Sequence, residues 1–136
     1  MDLQLIDLPP GAERTMQYAE FLGPRTAFLL VTIPSEVSRG VVARSIAALA
    51  RAPNPVIGYV ENMSGYYCRD CDDIKPLFAS SPADLPIPCL GTVPFDPELA
   101  QLCDRGIPAT ELPETPVRQA LEQIAQRLHD SLESPQ

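Results

Sequence analysis

Three short apolar runs, residues 26–33 (TAFLLVTI), 56–60 (VIGYV) and 89–93 (CLGTV), constrain the fold of this chain more than any other feature. None of them alternates polar with apolar positions, so each reads as a strand covered on both faces. Residues 3–6 (LQLI) read as a further short strand. Helical patterns lie between and after the strands. Residues 15–22 form a weak one that Gly23-Pro24 stops, and Val42, Ile46 and Leu49 recur at steps of four and three behind Ser35, a capping residue. Asp96-Pro97 opens another helix, with Leu99 and Leu102 on its buried face and Gly106 at its end. Thr115-Pro116 opens the last, where Val117, Leu121, Ile124, Leu128 and Leu132 share one face and His129 falls beside it, in solvent. Strands alternating with helices predict an α/β fold, a mostly parallel sheet with flanking helices. At 136 residues the whole chain, 1–136, reads as one domain with one core.

The net charge of −8, with no basic cluster to offset it, excludes phosphate backbones and anionic membrane surfaces as favoured partners. The chain begins Met-Asp without a basic segment ahead of an apolar run, and no stretch reaches the roughly 18 apolar residues that span a bilayer. The cytoplasm is the expected compartment. There the four cysteines, Cys68, Cys71, Cys89 and Cys103, are read as thiols or ligands before disulfides.

In a parallel sheet, ligands gather beyond the carboxyl ends of the strands. Asp7, Asn62, Cys68, Cys71 and Asp96 all lie at or just past such ends, with Asn62 and Gly65 expected to close the central strand. Asp7 followed by Gly11 fits the carboxylate and phosphate sensor of a magnesium-nucleotide site, or equally a solvated strand cap. The Cys68-x-x-Cys71 spacing lets two sulfurs reach one centre, and its uses are a redox dithiol, half of a zinc site or half of an iron-sulfur site. Arg69, Asp70 and the tyrosines before them do not resemble the helix-start turn of a redox dithiol. Cys89 and Cys103 are expected to be buried as small hydrophobes. A two-fold dimer contributing Cys68 and Cys71 from each subunit completes a four-thiolate site most economically.

The segments Asp7-Leu-Pro-Pro-Gly11, Val31-Thr-Ile-Pro-Ser-Glu-Val37, Ile57-Gly-Tyr-Val-Glu-Asn-Met-Ser64 with Cys68-x-x-Cys71, and Leu90-Gly-Thr-Val-Pro-Phe-Asp-Pro97 with Asp104-x-Gly-x-Pro108 follow one another in order. Together they resemble the consecutive motifs of the Mrp/ApbC iron-sulfur carrier ATPases, relatives of MinD and ParA. The resemblance implies the C-terminal half of a deviant P-loop NTPase of the SIMIBI class, a homodimer, and a [4Fe-4S] cluster held between subunits and passed to apo iron-sulfur proteins. It makes Asp7 the magnesium-side carboxylate, Gly11 the switch glycine, Asn62 the adenine reader, and Pro94 to Asp96 the wall beside the base. Zinc is the alternative metal, since it also accepts four thiolates. The alternative functions are half of a split or truncated ATPase completed by a separate P-loop chain, and a zinc-bridged dimerisation module.

The sequence departs from that pattern in having no glycine-rich phosphate loop, and its one lysine, Lys75, precedes a proline. ATP and magnesium are therefore expected only if a P-loop half is supplied. By itself the 136-residue chain is expected not to hydrolyse ATP, because phosphoryl transfer rests on the missing cradle and lysine. A phosphate-release assay showing turnover that vanishes in Asp7→Ala would overturn this. In the resembled fold the P-loop strand lies between the strands read at 3–6 and 26–33, so these two are expected either to close on each other or to accept a strand from a partner.

Overall fold

The computed structural model describes residues 3–79 and 84–133. The helix α1 (Ala12–Leu22) precedes β1 (Phe28–Thr32), α2 (Glu36–Leu49), β2 (Val56–Cys68), β3 (Asp73–Lys75), β4 (Cys89–Phe95), α3 (Pro97–Asp104) and α4 (Pro116–Glu133). A short 3₁₀ turn, Ala109–Glu111, links the last two helices. β1 and β4 both run parallel to β2, one on each side, and β3 pairs antiparallel with the far end of β2. This is the mostly parallel α/β sheet that the apolar runs predict.

Alternation along β1 shows that the sheet is covered on both faces. Phe28 and Leu30 pack into one cluster with Ala19 of α1 and Leu49 of α2, while Leu29 packs into the other with Val60, Val93, Leu99, Val117 and Ile124. Successive side chains of a strand point to opposite faces, so α1 and α2 cover one side and α3 and α4 the other. Ser35 caps α2, its hydroxyl accepting from Ser38 N at 3.2 Å, and the Thr115 hydroxyl caps α4 by accepting from Arg118 N at 3.2 Å. Leu121, expected on the buried face of α4, is 45% exposed.

Two expectations about strands are corrected. Residues 3–6 form no strand, and their apolar side chains are exposed, Leu5 to 83%. A strand needs a ladder partner, and among the described residues β1 pairs with β2 alone, so the two segments have not closed on each other. Pro9 and Pro10 instead lead directly into α1, with Leu8 packed against the first cluster. The second correction concerns β2, which does not end at Asn62 and Gly65 but runs on to Cys68. A register shift between Asn62 and Tyr66 and a positive φ of 54° at Met63 bend the strand without terminating it. Gly65 then allows β3 to approach, since a Cβ there would sit 2.9 Å from the Lys75 carbonyl oxygen.

Candidate metal centre

The extension of β2 makes the loop after it a hairpin. Cys68, the last residue of β2, pairs with Asp73, the first of β3, so the four residues 69–72 form the tip and carry Cys71. Asp72 takes a positive φ of 49°, a conformation a short acidic side chain tolerates. Its Oδ1 accepts the Tyr67 hydroxyl at 2.7 Å across the turn. That bond raises the Tyr67 pKa first, with desolvation and the Asp72 charge acting in the same direction.

Both thiols of the tip are free, Cys71 being exposed and Cys68 partly so. They interact with each other. A hydrogen bond from the Cys71 side chain lowers the Cys68 pKa, aided by the backbone N–H of Cys71, and the same pairing holds the Cys71 thiol up. One thiolate is thus available more readily than in an isolated cysteine, which suits a metal ligand or a nucleophile.

Arg69, between the two cysteines, reaches back to the base of the sheet. Its Nη2 lies 2.9 Å from Asp96 Oδ2 and its Nε 2.9 Å from Glu98 Oε2. Asp96 is the N-cap of α3, and its Oδ1 accepts from Glu98 N at 3.0 Å and Leu99 N at 3.3 Å. The guanidinium also stands 5.9 Å from the centroid of the Tyr67 ring, within cation–π range. Tyr66 packs against Phe95 with ring centroids 6.5 Å apart, seating the hairpin on the end of β4.

The structure thus brings Asp96 to the Cys68 and Cys71 turn through Arg69. The other predicted residues lie elsewhere. Asp7 is exposed in an irregular segment, and Gly11, at φ 119°, is the N-cap of α1. Asn62 is exposed within β2, its Oδ1 accepting from Met63 N at 2.9 Å, and Pro94 is buried at the end of β4. Cys89 and Cys103 are both exposed, which corrects the expectation of burial. Cys89 starts β4 opposite Tyr59, whereas the hairpin joins β4 at its other end, where Tyr66 pairs with Phe95. Among the described residues no group of three or more metal-binding side chains comes together. The turn thus presents a single pair of thiols, Cys68 and Cys71.

Sequence reasoning missed Arg69, Tyr67 and Glu98. The available signal was a cation set between two ligand-spaced cysteines.

The ParA-type family described as NUBPL iron-transfer P-loop NTPase matches residues 1–129. The cytosolic Fe-S cluster assembly factor NUBP2 of Bos taurus is 34% identical over 137 residues, covering 94% of this chain and 51% of that protein. The Nubp1 homolog of Drosophila pseudoobscura pseudoobscura, also described as a cytosolic Fe-S cluster assembly factor, is 31% identical over 144 residues, covering 96% of this chain and 46% of its own length. The chain spans about half the length of the curated relatives it matches. Among solved structures, a nucleotide-binding protein from Archaeoglobus fulgidus in complex with ADP superposes with a TM-score of 0.59 at 26% identity, over 73% of this chain and 43% of that one. The cell division ATPase MinD of Pyrococcus furiosus gives a TM-score of 0.55 at 22% identity over 75% of this chain and 41% of its own, a likeness of fold alone.

Proposed function

From the premise that this chain belongs to the NUBPL iron-transfer P-loop NTPase family, we propose that it binds and transfers an iron-sulfur cluster, with Cys68 and Cys71 of two copies bridging one [4Fe-4S] unit. The observation that carries the reading is the free thiol pair on the hairpin tip, with which one chain supplies two of the four thiolates such a cluster takes. The cluster is cargo here. Transfer to a cytosolic apo protein is ligand exchange: each acceptor thiolate forms one iron-sulfur bond as one bond to Cys68 or Cys71 breaks, and the acceptor's thiol proton passes to the leaving cysteine. No electron changes hands. Exposure of the tip gives an acceptor access to the thiols, while the buried sheet beneath stays closed.

The nucleotide-side residues Asp7, Gly11, Asn62, Pro94 and Asp96 would act only together with a P-loop half, which a separate chain could supply. The outer edge of β1 favours that arrangement: it is unpaired among the described residues, and Val31, its fourth residue, is 60% exposed.

Anaerobic reconstitution with iron and sulfide tests the cluster reading. The expected product is a dimer carrying about four irons and four sulfides per two chains, the content of one [4Fe-4S] cluster, which four cysteines can hold. A chain that keeps zinc and takes up no iron would instead be a zinc-bridged dimerisation module.

A further inference from the structure

We propose that Arg69 is a positioning residue that latches the turn carrying Cys68 and Cys71 to the start of α3, and so sets how long the thiol pair keeps its cargo. The inference rests on the cluster reading above. A side chain between two ligands at a hairpin tip ordinarily points to water. Arg69 instead forks, Nη2 to Asp96 and Nε to Glu98, at 2.9 Å each.

Most exposed ion pairs hold little, but the anchor here is not exposed. The Asp96 side chain is 0% accessible, against 35% for Arg69 and 52% for Glu98. Its Oδ1 is committed to the two N–H groups of α3, and Oδ2 to Arg69. A buried carboxylate fixed on one side by a helix start is a rigid post, and the guanidinium is the cation that partners its second oxygen. On the other limb of the turn, Tyr67 holds Asp72. Beyond these bonds the tip rests on three register pairs with β3, and residues 71–79 are exposed throughout. Loss of the fork therefore frees the turn without unpacking the core. Lysine, a point charge without the planar fork, replaces only one arm.

The test uses the full 136-residue chain, metal-free and reconstituted. In Arg69→Gln, hydrogen exchange of the amides from 68 to 73 is expected to quicken at least about tenfold in the metal-free chain, since one charged hydrogen bond alone is worth about that and both arms of the fork are lost. Exchange in β1 and α4 should stay unchanged. Iron release from the loaded chain to a chelator should quicken by a similar factor, and Arg69→Lys should restore part of both. The double variant Arg69→Gln/Glu98→Gln should be no faster than Arg69→Gln alone, which separates a shared latch from two independent structural roles. Wild-type exchange and release in Arg69→Gln, or additive effects in the double variant, overturn the latch. A wild-type chain that takes up no iron overturns the cluster reading instead, and the latch is then judged by exchange in the metal-free chain.

Discussion

Cys68→Ser and Cys71→Ser are each expected to leave the anaerobically reconstituted chain with less than about a tenth of the wild-type iron, whereas Cys89→Ser and Cys103→Ser should load normally. In the proposed two-copy site each of the first two substitutions would remove two of four thiolates, and a serine hydroxyl does not replace a soft ligand for iron in a sulfide cluster. Geometry separates Cys89 from the site, and Cys103 joins the pair in no group of metal-binding side chains among the described residues. Cys89 stands at the far end of β4, a seven-residue strand, from the place where Tyr66 meets Phe95. The strand's six steps of about 3.3 Å put roughly 20 Å between those ends, beyond the reach of a cluster ligand. Iron and acid-labile sulfide assays with the visible spectrum decide the matter. Full loading of both hairpin variants with loss in Cys89→Ser would place the centre at the wrong end of the sheet.

The second large effect is on stability. Gly58→Ala should cost about 2–5 kcal/mol, a large share of the roughly 5–15 kcal/mol that holds a domain folded. Gly58 has φ 151°, and a Cβ on it would stand 2.6 Å from the Pro88 carbonyl oxygen and 3.0 Å from Leu90 Cγ. The backbone strain is worth about 1–3 kcal/mol and the overpacking about as much. The Pro88 carbonyl cannot easily retreat, because it accepts the Tyr59 N–H at 2.9 Å inside the sheet. Gly40→Ala is the contrast. That glycine lies within α2 with Arg44 Nη1 its nearest neighbour at 3.7 Å, so alanine should stabilise by about 0.5–1 kcal/mol. Urea unfolding of both variants checks the pair, and equal midpoints would refute the argument.

What the sequence made legible was local. The continuous apolar runs led to β1, the first half of β2 and β4 because a strand buried on both faces must be apolar throughout. The proline-opened helices α3 and α4 were readable from their caps for the same reason, that the cap chemistry sits within a few residues of the start. Cys68 and Cys71 stood out through their spacing. What was illegible depends on partners distant in sequence. Residues 3–6 have strand composition and no ladder to join. Asn62 and Gly65 look like terminators, yet the bend at Met63 and the approach of β3 turn them into the middle of a longer strand. Burial of Leu121 was inferred from periodicity and that of Cys89 and Cys103 from residue type, but burial depends on what packs above each residue. Arg69 belongs to this group as well, since its carboxylate partners lie 27 and 29 positions further along the chain.

The unbroken course of β2 has a mechanical consequence. A single ribbon of backbone starts between two neighbours in the sheet and ends at the thiols, with its bend at Met63. The residues from Asn62 to Cys68, six steps of about 3.3 Å, make an arm of up to roughly 20 Å. A pivot of some 5° at the bend would carry the tip through about 2 Å of arc on an arm of that length, comparable to a metal–thiolate bond. Small torques delivered to the sheet, whether by a neighbouring subunit or by a strand seated beside β1, would thus reach the sulfurs as displacements on the scale of a ligand bond as far as the Tyr66–Phe95 contact and the Arg69 fork give way.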